Sequence, residues 1–387
     1  MDSVSPPQPA PSHRPRPRRI LQLAGVFVGL VVGLAIAEVG LRLSGYQLPA
    51  AHGKRRLVNL TNGIDYHCYP SNHSGELQPL PDYRRGEWRL EDGTLDANEL
   101  PLEAVEQTPY CVEYRMSPQR LRDRVYDREV PDGVVRVLGI GDSFAMGVGV
   151  PNEKSLFRQL ERLAGAGVEF VNAGRSGSYV QHEYAQVVEM SRTIDFQRVL
   201  VIFVPNDVPP SDELAERESE INDLINVRAT LLRRRVQGDF FGRHSRVVQL
   251  VRWQWNTSQI HNRTIDWYRD LYDPQINPKG LRILEQVYRH VATLPNVQAA
   301  VVLYPLMEGF DQQYPLRGVH ARVAATCREV GLPVLDLAPA FHGHDPAELW
   351  VHSCDHHPNG TAHAIAADAI YTWLQAELPP FLQPDEE

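Results

Sequence analysis

The chain has 387 residues, of which 43% are hydrophobic, and a formal net charge of −9 at pH 7. A chain of this size can bury a full core and has room for more than one domain. Its first 19 residues carry a charge of +3, which leaves −12 on the remainder. An acidic body lacks the basic face that nucleic acid requires, so nucleic acid is not expected as a partner.

The N-terminus combines a basic tail with a long apolar segment. Residues 1–19 contain six prolines and four arginines, which predicts a disordered cytoplasmic tail. Residues 20–43 predict a transmembrane helix, because Gln22 is the only polar side chain in the first 18 of them and the segment can cross a core about 30 Å thick. The preceding arginines favour a cytoplasmic N-terminus, which places the rest outside the cytoplasm. We expect a retained signal-anchor, with cleavage at the signal-peptidase-like Ala35–Ala37 as the alternative.

Residues 44–133 predict an irregular, partly β lead-in that packs on the domain that follows. They are rich in proline, tyrosine, asparagine and charge, with few periodic runs. The four cysteines (Cys68, Cys111, Cys327 and Cys354) have neither CxxC nor zinc-ligand spacing. An exported domain permits disulfides, and Cys68–Cys111 is the first pairing to test, with four free thiols as the alternative.

From residue 134 onward, short apolar runs alternate with amphipathic stretches. Buried strands are predicted at 134–140, 168–172, 198–204, 298–306 and 332–338. Helices are predicted at 153–165, near 180–191, and at 317–331. This alternation predicts an α/β fold over residues 134–375, a three-layer α/β/α domain with a parallel five-stranded sheet. Residues 209–280, charged and rich in aromatic side chains, predict a mostly helical insertion, and residues 376–387 a C-terminal tail.

Polar segments follow the predicted strands. Gly141-Asp142-Ser143 follows the first strand, a turn ending at Gly177 the second, and Asn206-Asp207 the third; Asp355–Asn359 lies near the C-terminus. Ligands bind at the carboxyl ends of parallel strands, so these segments are expected to converge. Their side chains fit acyl transfer, in which a histidine activates a serine, a carboxylate orients the histidine, and N–H groups stabilise the oxyanion.

The same segments could instead belong to other kinds of site or to plain turns. A dinucleotide-binding loop would need a glycine where Phe144 stands, and an α/β-hydrolase elbow would need one where Ala145 stands. Ser143 as a plain helix N-cap and Asn206-Asp207 as an ordinary turn remain alternatives. The other histidines near the C-terminus are expected on loops or at the surface rather than in a metal site (His342, His344, His352 and His363).

Taken together and in this order, the four segments resemble the motif blocks of the SGNH (GDSL-like) hydrolase family across residues 134–375. The stretch from Tyr114 to Asp123 is similar to the segment before the nucleophile in membrane-anchored bacterial members. The resemblance implies an SGNH/flavodoxin-like fold that needs no metal or organic cofactor. It implies Ser143 as nucleophile and first oxyanion donor, with further donors at Gly177 and Asn206. It implies His357 as the base and Asp355 as its orienting carboxylate.

Two positions depart from the pattern of the family. Val204 stands where the third block usually has a glycine, which is expected to reshape the floor beside Asn206. Only His356 separates Asp355 from His357, and His356 is itself an alternative base. Cys354 is an alternative nucleophile.

The expected function is that of a serine esterase acting outside the cytoplasm on an acyl ester, short-chain or O-acetyl. An O-acyltransferase that modifies cell-envelope glycan or lipid is one alternative, and an inactive binding or assembly protein with the same fold is another. The expected partners are an ester-bearing small molecule, lipid or glycan, and the membrane through the N-terminal helix.

Overall fold

The computed structural model describes residues 17–46, 55–60, 63–69, 72, 74–80, 88–90, 110–226, 236–310, 314–353 and 355–384. The chain forms two compact units. The first contains residues 1–49 and 227–259, and the second contains residues 50–226 and 260–387. The basic tail predicted for residues 1–19 lies outside the described part of the chain except for its last three residues.

In the first unit, helix α1 (Pro17–Leu43) forms over the predicted membrane segment. The stretch Leu21–Leu43 has a mean hydropathy of 2.2 and is long and apolar enough to cross a membrane. Near its end, the carboxylate of Glu38 accepts hydrogen bonds of 3.0 Å from the backbone N–H groups of Arg246 and Val247. These N–H groups belong to the first turn of another helix, where a negative charge is favourable.

The second unit begins with an antiparallel sheet, which we call the accessory sheet. Its strands are β1 (Arg55–Asn59), β2 (Asp65–Tyr69), β3 (Gln78–Pro79), β4 (Trp88–Leu90) and β5 (Tyr110–Tyr114), in the order β3-β5-β2-β1-β4. Cys68 on β2 lies opposite Cys111 on β5, and the two form the disulfide that the sequence had left open. The described residues of the lead-in are thus more regular than predicted, because short strands that are distant in sequence pair with one another and no local periodicity indicates such pairing.

A parallel sheet follows the accessory sheet. Its strands are β6 (Val135–Gly141), β7 (Val168–Asn172), β8 (Arg198–Phe203), β9 (Gln298–Leu303) and β10 (Val334–Asp336), in the order β10-β9-β8-β6-β7. All four pairings are parallel. The predicted five-stranded parallel sheet is therefore confirmed.

Helices cover both faces of this sheet. The helices that lie wholly in the second unit are α2 (Ser143–Met146), α3 (Leu156–Ala164), α4 (Val180–Met190), α5 (Asp212–Asn226), α8 (Pro278–Ala292), α9 (Arg317–Glu329) and α10 (Gly360–Glu377). Helix α6 (Phe240–His244) belongs to the first unit, and the residues of α7 (Arg246–Leu271) are divided between the two units. Val199, Val201 and Phe203 of β8 pack in one apolar cluster with α4, α8 and α9. The alternate residues Leu200 and Ile202 pack in a second cluster with α3 and α10. Successive side chains of a strand point to opposite faces, so this alternation produces the predicted α/β/α layering.

The predicted insertion at 209–280 contains α5, α6 and α7 among its described residues. On the C-terminal side, a two-stranded hairpin of β11 (Trp350–His352) and β12 (Asp355–Pro358) precedes α10. This hairpin carries the residues of the last sequence block.

Candidate active site

Ser143 lies two residues after the end of strand β6, at the start of α2. Gly141 has φ +146°, and a Cβ there would lie 2.5 Å from the carbonyl oxygen of Ile202, so only glycine fits this turn. Asp142 caps α2 by accepting a 2.8 Å hydrogen bond from the N–H of Phe144. The turn holds the Ser143 side chain at the carboxyl end of the sheet, where it is 8% exposed.

His357 reaches Ser143 from the hairpin at the other end of the sequence. The distance between His357 Nε2 and Ser143 Oγ is 2.9 Å, across 214 residues of chain. The Nδ1 atom of the same ring is hydrogen-bonded to Oδ1 of Asp355, which lies buried on β12. Asn359 holds the end of this hairpin by capping α10 and donating to the carbonyl oxygen of Glu348 at 2.8 Å. Serine, imidazole and carboxylate therefore form one continuous chain of hydrogen bonds.

The alternative base, His356, points elsewhere. Its ring stacks on Trp350 at a centroid distance of 3.7 Å, and its Nδ1 lies 3.3 Å from a carboxylate oxygen of Glu308. Neighbouring residues on a strand face opposite sides, which explains why only one of the two histidines meets Ser143. The alternative nucleophile, Cys354, lies outside the described residues.

Asn206 shares a hydrogen-bonding partner with Ser143. Its Nδ2 donates to Oδ2 of Asp142 at 3.0 Å, and Ser143 Oγ lies 3.2 Å from the same oxygen. The amide nitrogen and the serine oxygen are therefore within about 6 Å of each other. An asparagine amide has two N–H donors, so one remains for a ligand while the other binds Asp142.

A hydrogen bond between the residues on either side of Asn206 closes the turn that carries it. Asp207 accepts a 2.6 Å hydrogen bond from the N–H of Val204, and the Val204 side chain is fully buried in the apolar cluster beneath the sheet. The valine that replaces the usual glycine thus contributes to the core. The Asp207 carboxyl is itself buried, and burial raises its pKa well above the ordinary value.

Gly177 is placed differently from the other predicted site residues. It is exposed, with φ +74°, in the turn after β7, and no described contact joins it to Ser143. Gly174, by contrast, contacts the helix that begins at Ser143, since a Cβ there would lie 2.3 Å from the N atom of Met146. A role for Gly177 as an oxyanion donor stays a prediction.

Two residues that contact this site were not singled out from the sequence. Asp142 bonds both Ser143 and Asn206, and its place beside the nucleophile could have suggested this. Tyr69 of the accessory sheet donates to Oδ2 of Asp355 at 2.7 Å. No sequence signal links Tyr69 to a residue 286 positions away. Among the described residues, no cluster of His, Cys, Asp or Glu is suited to a metal ion.

His363, expected at the surface, is fully buried on α10, and His352 is buried as well. His363 lies one residue from Ala362 and one helical turn from Ala367, both in the same apolar cluster, so this helix face is part of the core. Neither ring nitrogen of His363 has a hydrogen-bond partner among the described residues. Burial lowers the pKa of this histidine from 6.5 to about 3.

Replacing His363 by leucine is expected to make the protein more resistant to acid. In the wild type, His363 binds a proton below about pH 6.5 in the unfolded chain but only below about pH 3 in the folded chain. Because the unfolded chain binds more protons between these two values, the free energy of unfolding decreases as the pH falls through this window. Across the whole window the loss amounts to about 5 kcal/mol, and His363→Leu removes it. Equilibrium unfolding in denaturant at pH 7 and pH 4.5 measures the effect. The exposed His344 gives the control variant His344→Leu, and an equal gain in both variants would contradict the assignment to burial.

Comparison with known proteins gives matches only at the level of solved structures. No family model and no curated protein matches the chain. A member of the lipolytic protein G-D-S-L family from Veillonella parvula is 15% identical, with a TM-score of 0.37, and the match covers 63% of this chain and 98% of that one. An acetyl xylan esterase from Geobacillus stearothermophilus is 17% identical, with a TM-score of 0.36, and the match covers 65% of this chain and 97% of the esterase.

An aryl esterase from M. smegmatis, in an inhibitor-bound form, is 12% identical, with a TM-score of 0.36, over 63% of this chain and all of its own. Of these three solved structures, two are described as esterases and one as a member of the lipolytic G-D-S-L family.

Proposed function

We propose that the protein is a serine esterase that cleaves an acyl ester by way of an acyl-enzyme intermediate. The observation that carries the proposal is the chain of hydrogen bonds from Ser143 through His357 to Asp355. A serine hydroxyl is a weak nucleophile until a neighbouring base removes its proton, and an imidazole held by a carboxylate performs this task in serine hydrolases of unrelated fold.

The mechanism has two halves. In the first, the Ser143 proton moves to His357 Nε2 as Ser143 Oγ attacks the ester carbonyl, and Asp355 stabilises the imidazolium through Nδ1. The protonated ring then gives its proton to the departing alcohol, which leaves the acyl group on Ser143. In the second, His357 removes a proton from a water molecule as its oxygen attacks the acyl carbon, and the imidazolium then returns this proton to Ser143 Oγ as the bond between Oγ and the acyl carbon breaks and the acid leaves.

The negative charge on the tetrahedral oxygen needs donors that are already in position. The Ser143 N–H, in the first turn of α2, has no intrahelical acceptor. The second N–H of Asn206 lies within about 6 Å of Ser143 Oγ. We assign these two donors to the oxyanion, with Gly177 as a further candidate after movement of its exposed turn.

We further propose that α1 anchors the enzyme to a membrane, with the N-terminus in the cytoplasm and the catalytic domain outside. The apolar helix ending at Leu43 and the arginines before it support this orientation. The Cys68–Cys111 disulfide also fits an oxidising compartment. The substrate is then an ester-bearing small molecule, lipid or glycan that the exported domain meets outside the cytoplasm.

The test is covalent labelling of the full chain, solubilised in detergent, with a fluorophosphonate probe, together with turnover of short-chain aryl acetates. We expect the wild type to be labelled and Ser143→Ala to be neither labelled nor active, because the probe reacts with an activated serine. The control Ser176→Ala removes an exposed hydroxyl from the nearby turn and should be labelled like the wild type. Cys354→Ala should be labelled too. A folded wild type without labelling or turnover would instead favour the inactive binding protein.

A further inference from the structure

The accessory sheet places a phenol against the carboxylate of the proposed triad. Tyr69, the last residue of β2, is 1% exposed, and its hydroxyl donates to Oδ2 of Asp355 at 2.7 Å. The other carboxylate oxygen, Oδ1, is hydrogen-bonded to His357. The chain of hydrogen bonds therefore has a fourth member, and it lies outside the parallel-sheet domain.

This contact fixes the carboxylate from the side opposite the imidazole. Asp355 is buried, and a buried polar group needs hydrogen-bond partners, which His357 and Tyr69 supply at its two oxygens. A phenol donating to Oδ2 also limits rotation of the carboxylate group. Because the orientation of the imidazole depends on Oδ1, the hydrogen bond from Tyr69 reaches the catalytic base through Asp355.

Tyr69 is held rigidly in this position. It directly follows Cys68, whose disulfide to Cys111 cross-links β2 to β5. Its ring packs in an apolar cluster with residues of the accessory sheet and of the loops beside the site, including Val150 and Val351. Gly149 leaves room for the hydroxyl, since a Cβ there would lie 2.9 Å from Tyr69 Oη.

Residues of the accessory sheet and of the segments next to it also contact the chain on both sides of the proposed triad. On the Ser143 side, the N–H of Gly149 donates to the hydroxyl of Tyr114 on β5 at 2.6 Å, and Arg122, which follows the accessory sheet in the chain, donates to the carbonyl oxygen of Val150 at 2.5 Å. On the histidine side, Glu76 accepts a 2.9 Å hydrogen bond from the N–H of Gly360 at the start of α10. These hydrogen bonds therefore hold the loop after Ser143 and the helix after His357 in place.

We infer that the disulfide-linked accessory sheet completes the active site, with Tyr69 as a positioning residue that orients Asp355 and, through it, His357. The inference rests on the proposed function, since it assigns Tyr69 a role in the same triad. It gives residues 55–114 a part in the reaction that the four motif blocks do not contain.

Tyr69→Phe in the full chain tests this inference, with Tyr110→Phe as the matched control. Tyr110 lies opposite Tyr69 in the β2–β5 pairing but has no described contact with the triad. We expect Tyr69→Phe to lower kcat about 10-fold while KM stays within about twofold, because the lost hydrogen bond to a charged group orients the base rather than binding substrate. Tyr110→Phe should match the wild type.

A second measurement does not depend on turnover. The proton between His357 Nδ1 and Asp355 gives a downfield ¹H resonance, which selective ¹⁵N-histidine labelling assigns. Tyr69→Phe should move this resonance, because the carboxylate that accepts the proton loses a donor, while Tyr110→Phe should leave it in place. A merely structural contribution would lower the melting temperature without this change.

The outcomes separate the inference from the proposed function. If the wild type is inactive and unlabelled but the resonance moves only in Tyr69→Phe, the esterase proposal fails and the positioning role stands. If the resonance is the same in Tyr69→Phe and Tyr110→Phe, the inference is overturned whether or not the protein is active. A loss of kcat that accompanies an equal loss in Tyr110→Phe would overturn it as well.

Discussion

Replacing His357 by alanine is expected to lower kcat for aryl acetates by about 10³-fold or more, with little change in folding. His357 is the imidazole whose Nε2 lies 2.9 Å from Ser143 Oγ, so its removal leaves the hydroxyl without this proton acceptor. The ring is partly exposed, and its loss opens no large cavity in the core. Turnover and thermal unfolding of the full chain measure the two effects separately.

The adjacent histidine supplies the control for this experiment. His356 is directed to Trp350 and Glu308, so His356→Ala should keep activity within a few-fold of the wild type. The reverse result, with His356→Ala inactive and His357→Ala active, would move the base to position 356. Equal loss in both variants together with a lower melting temperature would show that the hairpin, rather than one ring, had been damaged.

The parallel sheet was predictable because its signals are local. In Val168–Asn172, the apolar residues Val168, Phe170 and Val171 indicate a strand between two glycine-containing turns, and the predicted and observed strands have the same bounds. Predicted strand ends at Val204 and Leu306 each run past the observed ends, at Phe203 and Leu303, because apolar residues continue beyond the last ladder hydrogen bond. Element boundaries depend on pairing partners, which a single segment does not contain.

Side chains that meet the site from distant segments were harder to predict. Tyr69 and Asp355 are 286 residues apart in the chain, and no pattern in either segment predicts the contact between them. The burial of His363 could have been found, since the apolar residues at Ala362, Ala366 and Ile370 recur at helical spacing around it. We had instead grouped His363 with the other histidines near the C-terminus that were expected on loops or at the surface.

Replacing Asn206 by alanine is the second change with a large expected effect. We expect kcat/KM to fall about 10²- to 10³-fold, because an N–H donor aimed at the developing oxyanion stabilises the transition state more than the bound substrate. The rate of fluorophosphonate labelling should fall too, since the probe also places negative charge near Ser143. The measurements are steady-state turnover and the time course of labelling in the full chain.

Asp207→Asn distinguishes this role from that of an ordinary turn. Burial raises the pKa of Asp207 above its usual range, which disfavours a charge at this position, and an amide of the same shape can still accept the hydrogen bond from the N–H of Val204. This variant should therefore keep the turn and most of the activity. If Asn206→Ala were instead as active as Asp207→Asn, the amide would have no part in stabilising charge, and Asn206-Asp207 would be only the turn that ends β8. The oxyanion would then depend on the N–H of Ser143 and on whatever donor the exposed turn at Gly177 brings to it.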